Sequence, residues 1–293
     1  MAWKTHDVPV APTRSMSVLE CGDPDGLPIV FHLGTPFPPV EWPSLDETAG
    51  ELALRVLLPA RPGYSGSTRL PGRAVIDVAS DVSTLLDVFG GGRFVAIGWS
   101  GGGPHALACA SRLDGCLGAI SLAGVVPWDA PDIDWMAGMA EENVEEFSTV
   151  LQGEDVLRPY LAEQLAELAE VRPDEVAESL GGLAPPVDVA SLTGELAEVM
   201  AAGLRRAAHD GLDGWVDDDL AFAAPWGFDP SSIAVPVVVW QGRHDTMVPF
   251  DHGRWLVDHL PTAVARLHDD EGHISLLTTR LSDILADARE LGV

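Results

Sequence analysis

Lysine is nearly missing from this 293-residue chain: Lys4 is the only one, and every other fixed side-chain cation is an arginine. Lysine and arginine together number 17 against 45 acidic residues, a formal net charge of −28. A surface of that sign repels phosphate backbones, which excludes nucleic acid as a partner and disfavours strongly anionic substrates. No run of about 18 apolar residues occurs, so no membrane-spanning helix is expected. The three cysteines, Cys21, Cys109 and Cys116, are an odd number without metal-like clustering. A reduced, cytoplasmic protein without a bound metal is the expectation. The opening Met1-Ala2-Trp3-Lys4-Thr5-His6-Asp7 lacks the apolar core of a signal peptide.

What is present is a pattern of strands and helices. Hydrophobic residues make up 46% of the chain, ample for a packed core. Residues 15–34 read as strand, turn and strand, the turn running through Gly22-Asp23-Pro24-Asp25-Gly26. A strand over 52–58, a helix over about 74–89 and strands over 93–97 and 117–123 follow. This alternation implies an α/β fold with a mostly parallel sheet and helices on both faces. From about Trp128 to Ala224 only helical patterns appear, notably over 154–171 and 188–208. The expected organisation is therefore a core domain of 1–127 and 225–293 carrying an all-helical cap over 128–224. Alternation resumes with a strand over 235–240, a helix over 251–260, a strand over 263–267 and a last helix over 274–291.

Gly98-Trp99-Ser100-Gly101-Gly102 concentrates the chemistry. A β-branched, apolar strand precedes it, and a helix with Pro104 in its first turn follows. G-x-S-x-G between strand and helix places the serine on a tight turn, its hydroxyl exposed above the sheet edge. A serine hydroxyl is protonated at neutral pH and needs a base, which in turn needs an orienting acid. Of nine histidines, His273 follows the last expected strand and so shares the sheet edge of Ser100. Asp245, after the 235–240 strand, is placed to accept from its imidazole. Asp129 is the alternative acid, and Asp217, Asp218 and Asp219 are outsiders. The oxyanion donors are expected to be the N–H of Gly101 and one from the loop after residues 29–32, Thr35 first and Gly34 second.

Five motifs stand in a fixed order: His32-Leu33-Gly34-Thr35-Pro36, Arg61-Pro62-Gly63-Tyr64-Ser65-Gly66, Gly98 to Gly102, Gly242 to Asp245 with Val248-Pro249, and Gly272-His273. With them the chain resembles serine hydrolases of the α/β-hydrolase fold with a helical cap, such as esterases and proline iminopeptidases. The resemblance covers nearly the whole length and implies Ser100 as nucleophile, Asp245 as acid and His273 as base, with no cofactor. One departure is Leu33-Gly34, where the family usually has His-Gly. A serine nucleophile argues against the family's epoxide hydrolases and haloalkane dehalogenases.

Trp99, Phe37, Trp128, Trp135, Met136, Met139 and Met247 are expected to border an apolar acyl or aromatic pocket. Glu141, Glu142, Glu145 and Glu146 read as a solvated helix face; recognition of a substrate amine is the sharper alternative. The expected function is hydrolysis of a small apolar carboxylic ester, with a small molecule as the partner. Aminopeptidase, perhydrolase or haloperoxidase-like activity, and a non-catalytic ligand-binding role are the alternatives.

Overall fold

A computed structural model describes residues 3–293. Its strands are β1 (Lys4–Ala11), β2 (Arg14–Gly22), β3 (Leu27–His32), β4 (Leu54–Pro59), β5 (Phe94–Trp99), β6 (Cys116–Leu122), β7 (Val237–Gly242) and β8 (Ala263–His268). They form one sheet in the order β1-β2-β4-β3-β5-β6-β7-β8. β1–β2 and β2–β4 pair antiparallel, and every later pairing is parallel.

Every residue of β5 and β7 is buried, as covered parallel strands require. Their neighbours divide by the two-residue period of a strand. Val30, Leu57, Ala96 and Val239 face one core, while Ile29, Val56, Val95 and Val238 face the other. The first core is closed by α2 (Val78–Val88) and α3 (Gly103–Arg112), and the second by α1 (Pro43–Glu51) and α12 (Leu281–Leu291). Each fully buried Leu, Ile or Val contributes roughly 1.5–3 kcal/mol, so this two-sided packing holds the strand ends rigidly. β1 was not anticipated, because its exposed face is polar and Pro9 interrupts it; only Val8 and Val10 point inward.

Between β6 and β7 no strand occurs among the described residues. The excursion holds α4 (Glu141–Val150), α5 (Glu154–Leu168), α6 (Val176–Leu180), α7 (Pro186–Ser191), α8 (Gly194–Asp210) and α9 (Asp213–Phe222). α5 packs on α4, α8 and α9. The single helix expected over 188–208 is two helices. Gly194 at a φ of 54° breaks them, and apolar residues spaced through the break hide it in the sequence. After α10 (Phe250–His259) and β8, the last expected helix also divides, into α11 (Ser275–Thr279) and α12. Arg280 leaves the helical region there and turns its guanidinium back to Glu271 Oε1 at 3.0 Å.

Candidate active site

The end of β5 feeds α3 through a turn in which Ser100 has a φ of 55°. A side chain rarely adopts that region, and holding one there costs roughly 1–3 kcal/mol. Glycines make the turn feasible: a Cβ on Gly98 would collide with the Gly102 carbonyl, and one on Gly102 with the His32 carbonyl. The strain is imposed by strand and helix together, and it aims the hydroxyl into a cavity of about 350 Å³.

His273, on the loop between β8 and α11, lines the same cavity. Its Nδ1 lies 2.7 Å from Asp245 Oδ2. Because that neighbour is an acceptor, Nδ1 carries the proton and Nε2 keeps its lone pair. Asp245 is itself fixed: Oδ1 accepts from the N–H of Met247 and of Val248 at 2.9 and 2.7 Å, and Oδ2 from Gln241 Nε2 at 2.9 Å. Burial works against a charged His273 ring, but the charge and hydrogen bond of Asp245, joined by the charge of Asp188, raise its pKa overall. The Trp99 ring packs 5.4 Å from the His273 ring. No direct hydrogen bond joins the Ser100 hydroxyl to His273 in this structure, a separation common in unliganded sites.

Gly34, Thr35 and Gly101 also line the cavity. A Cβ on Gly34 would lie 3.1 Å from Ser100 Cβ, and one on Gly101 2.6 Å from Thr35 Oγ1, so the two loops touch beside the serine. Asp218, on α9, anchors the Thr35 loop from behind. Its Oδ2 accepts from Arg61 Nη2 at 2.6 Å, Thr35 Oγ1 at 2.8 Å and Tyr64 OH at 2.9 Å, and Oδ1 lies 2.7 Å from Arg73 Nη2. Arg61 then donates to the Leu33 and Gly34 carbonyls at 2.5 and 3.0 Å. Burial disfavours the Asp218 carboxylate, but Arg61, Arg73 and His105 hold its pKa well below the usual range. Neither this role nor that of Asp188 was read from the sequence. The Arg61-to-Gly66 motif is visible in the sequence, but its carboxylate partner lies 157 residues away.

Phe37, Trp99 and Met247 line the cavity; Trp128, Trp135 and Met139 do not. Their expected place at the pocket is corrected by aromatic packing. Trp135 stacks its edge on Phe147 at 4.5 Å, lies 4.8 Å from Trp128 and donates Nε1 to the Val126 carbonyl at 2.9 Å. Met139 is buried in the same core. Asp129 is exposed and does not meet His273.

The glutamate run is only partly a solvated face. Glu141 and Glu145 are exposed and away from the cavity, whereas Glu142, though exposed, and Glu146 both line it. There Glu146 accepts from Trp215 Nε1 at 2.8 Å and shares the cavity lining with Asp219 of α9, whose Oδ2 is buried without a hydrogen-bond partner. Burial raises the pKa of both carboxyls, Asp219 well above the ordinary value with the Glu146 charge adding to it.

The residues of the described chain hold no group of three His, Cys, Asp or Glu side chains suited to a metal. No helix among them is long and apolar enough to cross a membrane. The Ser100 turn thus sits at the centre of an eight-stranded, mostly parallel sheet. Over residues 28–279 the sequence matches the α/β-hydrolase fold family, and the chain belongs to it. Among solved structures, it is similar to a thermophilic esterase from Thermogutta terrifontis (20% identity, 99% of this chain and 100% of that one covered, TM-score 0.66). It is also similar to a bromoperoxidase from Bacillus anthracis (19%, 97% and 98%, TM-score 0.73). A third is a putative aryl esterase from Burkholderia cenocepacia (19%, 98% and 100%, TM-score 0.68). No curated protein matches the sequence. The protein has the α/β-hydrolase fold.

Proposed function

We propose that the protein hydrolyses small, apolar carboxylic esters through an acyl-enzyme on Ser100. The observation that carries this is one cavity lined by both the strained Ser100 and a His273 already bonded to Asp245. As the substrate seats, His273 Nε2 takes the hydroxyl proton while Ser100 Oγ attacks the carbonyl carbon. Asp245 stabilises the resulting imidazolium. The N–H groups of Gly101 and of Thr35 or Gly34 receive the negative charge on the carbonyl oxygen. His273 then protonates the departing alcohol, and water, activated by the same ring, releases the acid.

Three features favour an apolar ester. Phe37, Trp99, Met200, Leu204 and Phe222 supply apolar walls beside the carboxyls of Glu142, Glu146, Glu167 and Asp219, no Arg or Lys among the described residues lines the cavity, and its volume suits a small ligand. We propose that the helical segment 128–224 acts as the cap over this cavity. A second reading is supported by Glu146 and Asp219, whose carboxyls line the same cavity and would receive the amine of an aminopeptidase substrate.

One comparison separates the readings: p-nitrophenyl esters of short aliphatic acids against aminoacyl coumarin amides. The expected result is ester kcat/KM at least about tenfold above the best amide, a difference of about 1.4 kcal/mol in transition-state stabilisation. Turnover confined to the aminoacyl compounds, and lost in Glu146→Gln, would replace the ester reading by the amine one.

A further inference from the structure

We infer that Asp188, which lies on α7 in the helical excursion and outside the Ser100–His273–Asp245 set, is a positioning residue for the base. The inference rests on His273 being that base. Asp188 is fully buried, and its carboxylate accepts three consecutive backbone N–H groups. Oδ2 accepts from His273 at 2.9 Å, and Oδ1 from Ile274 and Ser275 at 2.9 and 2.8 Å. The first two amides belong to the loop just before α11 and the third to its first residue, so the carboxylate fixes the backbone that carries the imidazole.

The approach is closely fitted. A Cβ on Gly272 would stand 2.5 Å from Asp188 Oδ1, so only glycine there admits the carboxylate. From the core side the same loop is held by Glu271, which accepts from Ser275 Oγ at 2.7 Å, Thr279 Oγ1 at 2.6 Å and Arg280 Nε at 3.0 Å. The loop bearing His273 is thus clamped once by its own domain face and once by the helical excursion. A shift of α7 would move the base.

The carboxylate also acts through its charge. Burial raises the Asp188 pKa, the backbone N–H groups and the His273 charge oppose that rise, and no ion pair joins Asp188 to an arginine or lysine among the described residues. Its charge acts on the imidazole it positions. Both Asp188 and Asp245 favour the imidazolium that forms when Ser100 gives up its proton.

The test is Asp188→Asn, read as kcat, KM and the acid limb of kcat/KM for the best ester. Asp188 raises the His273 pKa, so loss of its charge lowers that pKa and moves the limb to lower pH. Misplacement of the base lowers kcat about 10- to 100-fold, more than KM changes. Asp174→Asn, an exposed carboxylate of the same excursion, leaves both unaltered. Should Asp188→Asn not fold, Asp188→Ser, neutral with one small acceptor, carries the same expectation. A folded variant with wild-type kcat and an unmoved acid limb overturns the inference, as does a drop in melting temperature alone. Failure of both variants to fold assigns Asp188 to the fold and overturns it too. His273→Ala run in parallel keeps the two ideas apart. Full activity there sinks the base assignment, whereas inactivity there beside unaltered Asp188 variants sinks only the positioning role.

Discussion

Ser100→Ala lowers ester kcat/KM by at least about 10⁴-fold while leaving thermal stability nearly unchanged. The hydroxyl makes no side-chain hydrogen bond within the protein, so its removal leaves no buried partner unsatisfied. The backbone strain at a φ of 55° is set by β5 and α3 and persists with alanine. Stability therefore stays within about 0.5 kcal/mol of the parent. Ser100→Gly goes further: it removes the Cβ that makes this φ costly, and is expected to raise stability by about 1 kcal/mol while abolishing turnover. Activity assays paired with thermal melts check both. A serine that stabilised the fold rather than reacted would give the opposite pattern, with melting lowered and turnover retained.

Asp218→Ala carries the largest stability effect, about 3–5 kcal/mol. The side chains of Arg61 and Asp218 are 3% and 0% exposed, so removing the carboxylate strands Arg61 and Arg73 as buried, unpaired cations. It also frees Thr35 and the Leu33–Gly34 carbonyls to shift, so turnover falls with stability. An exposed pair such as Arg172–Asp174 gives no comparable loss when broken, because water and salt screen it. The pH dependence has a definite sign. The folded pKa of Asp218 is depressed, so its contribution is fully present above the unfolded value of about 3.9. It is lost as the pH falls toward the folded value. Chemical denaturation at neutral pH measures the loss; a change under about 0.5 kcal/mol would contradict the clamp.

These two sites mark how far the sequence could be read. The β5–Ser100–α3 turn was legible because its signals are local: a continuous apolar strand, glycines where a Cβ cannot fit, and Pro104 in a first turn. His273 and Asp245 were legible by position, each following a strand that ends at the same sheet edge. Asp218 and Asp188 were not, since their meaning depends on partners 157 and 85 to 87 residues away. Nothing in Asp217-Asp218-Asp219 distinguishes the carboxylates locally, yet the first two bond Arg69 and Arg61 while Asp219 faces the cavity. The same limit explains Trp128 and Trp135, whose aromatic character fitted a pocket wall but whose rings pack on Phe147 and each other. Glu146 shows the converse. In sequence it is one acid of a run, and only the inward face of α4 sets it apart.

The account depends most on Ser100 being a nucleophile activated by His273. Labelling of the folded protein with a fluorophosphonate, followed by peptide mass mapping, tests that directly. A single adduct on Ser100, absent in Ser100→Ala and strongly slowed in His273→Ala, is the result predicted. An unlabelled Ser100, under conditions where a known serine hydrolase reacts fully, would contradict it.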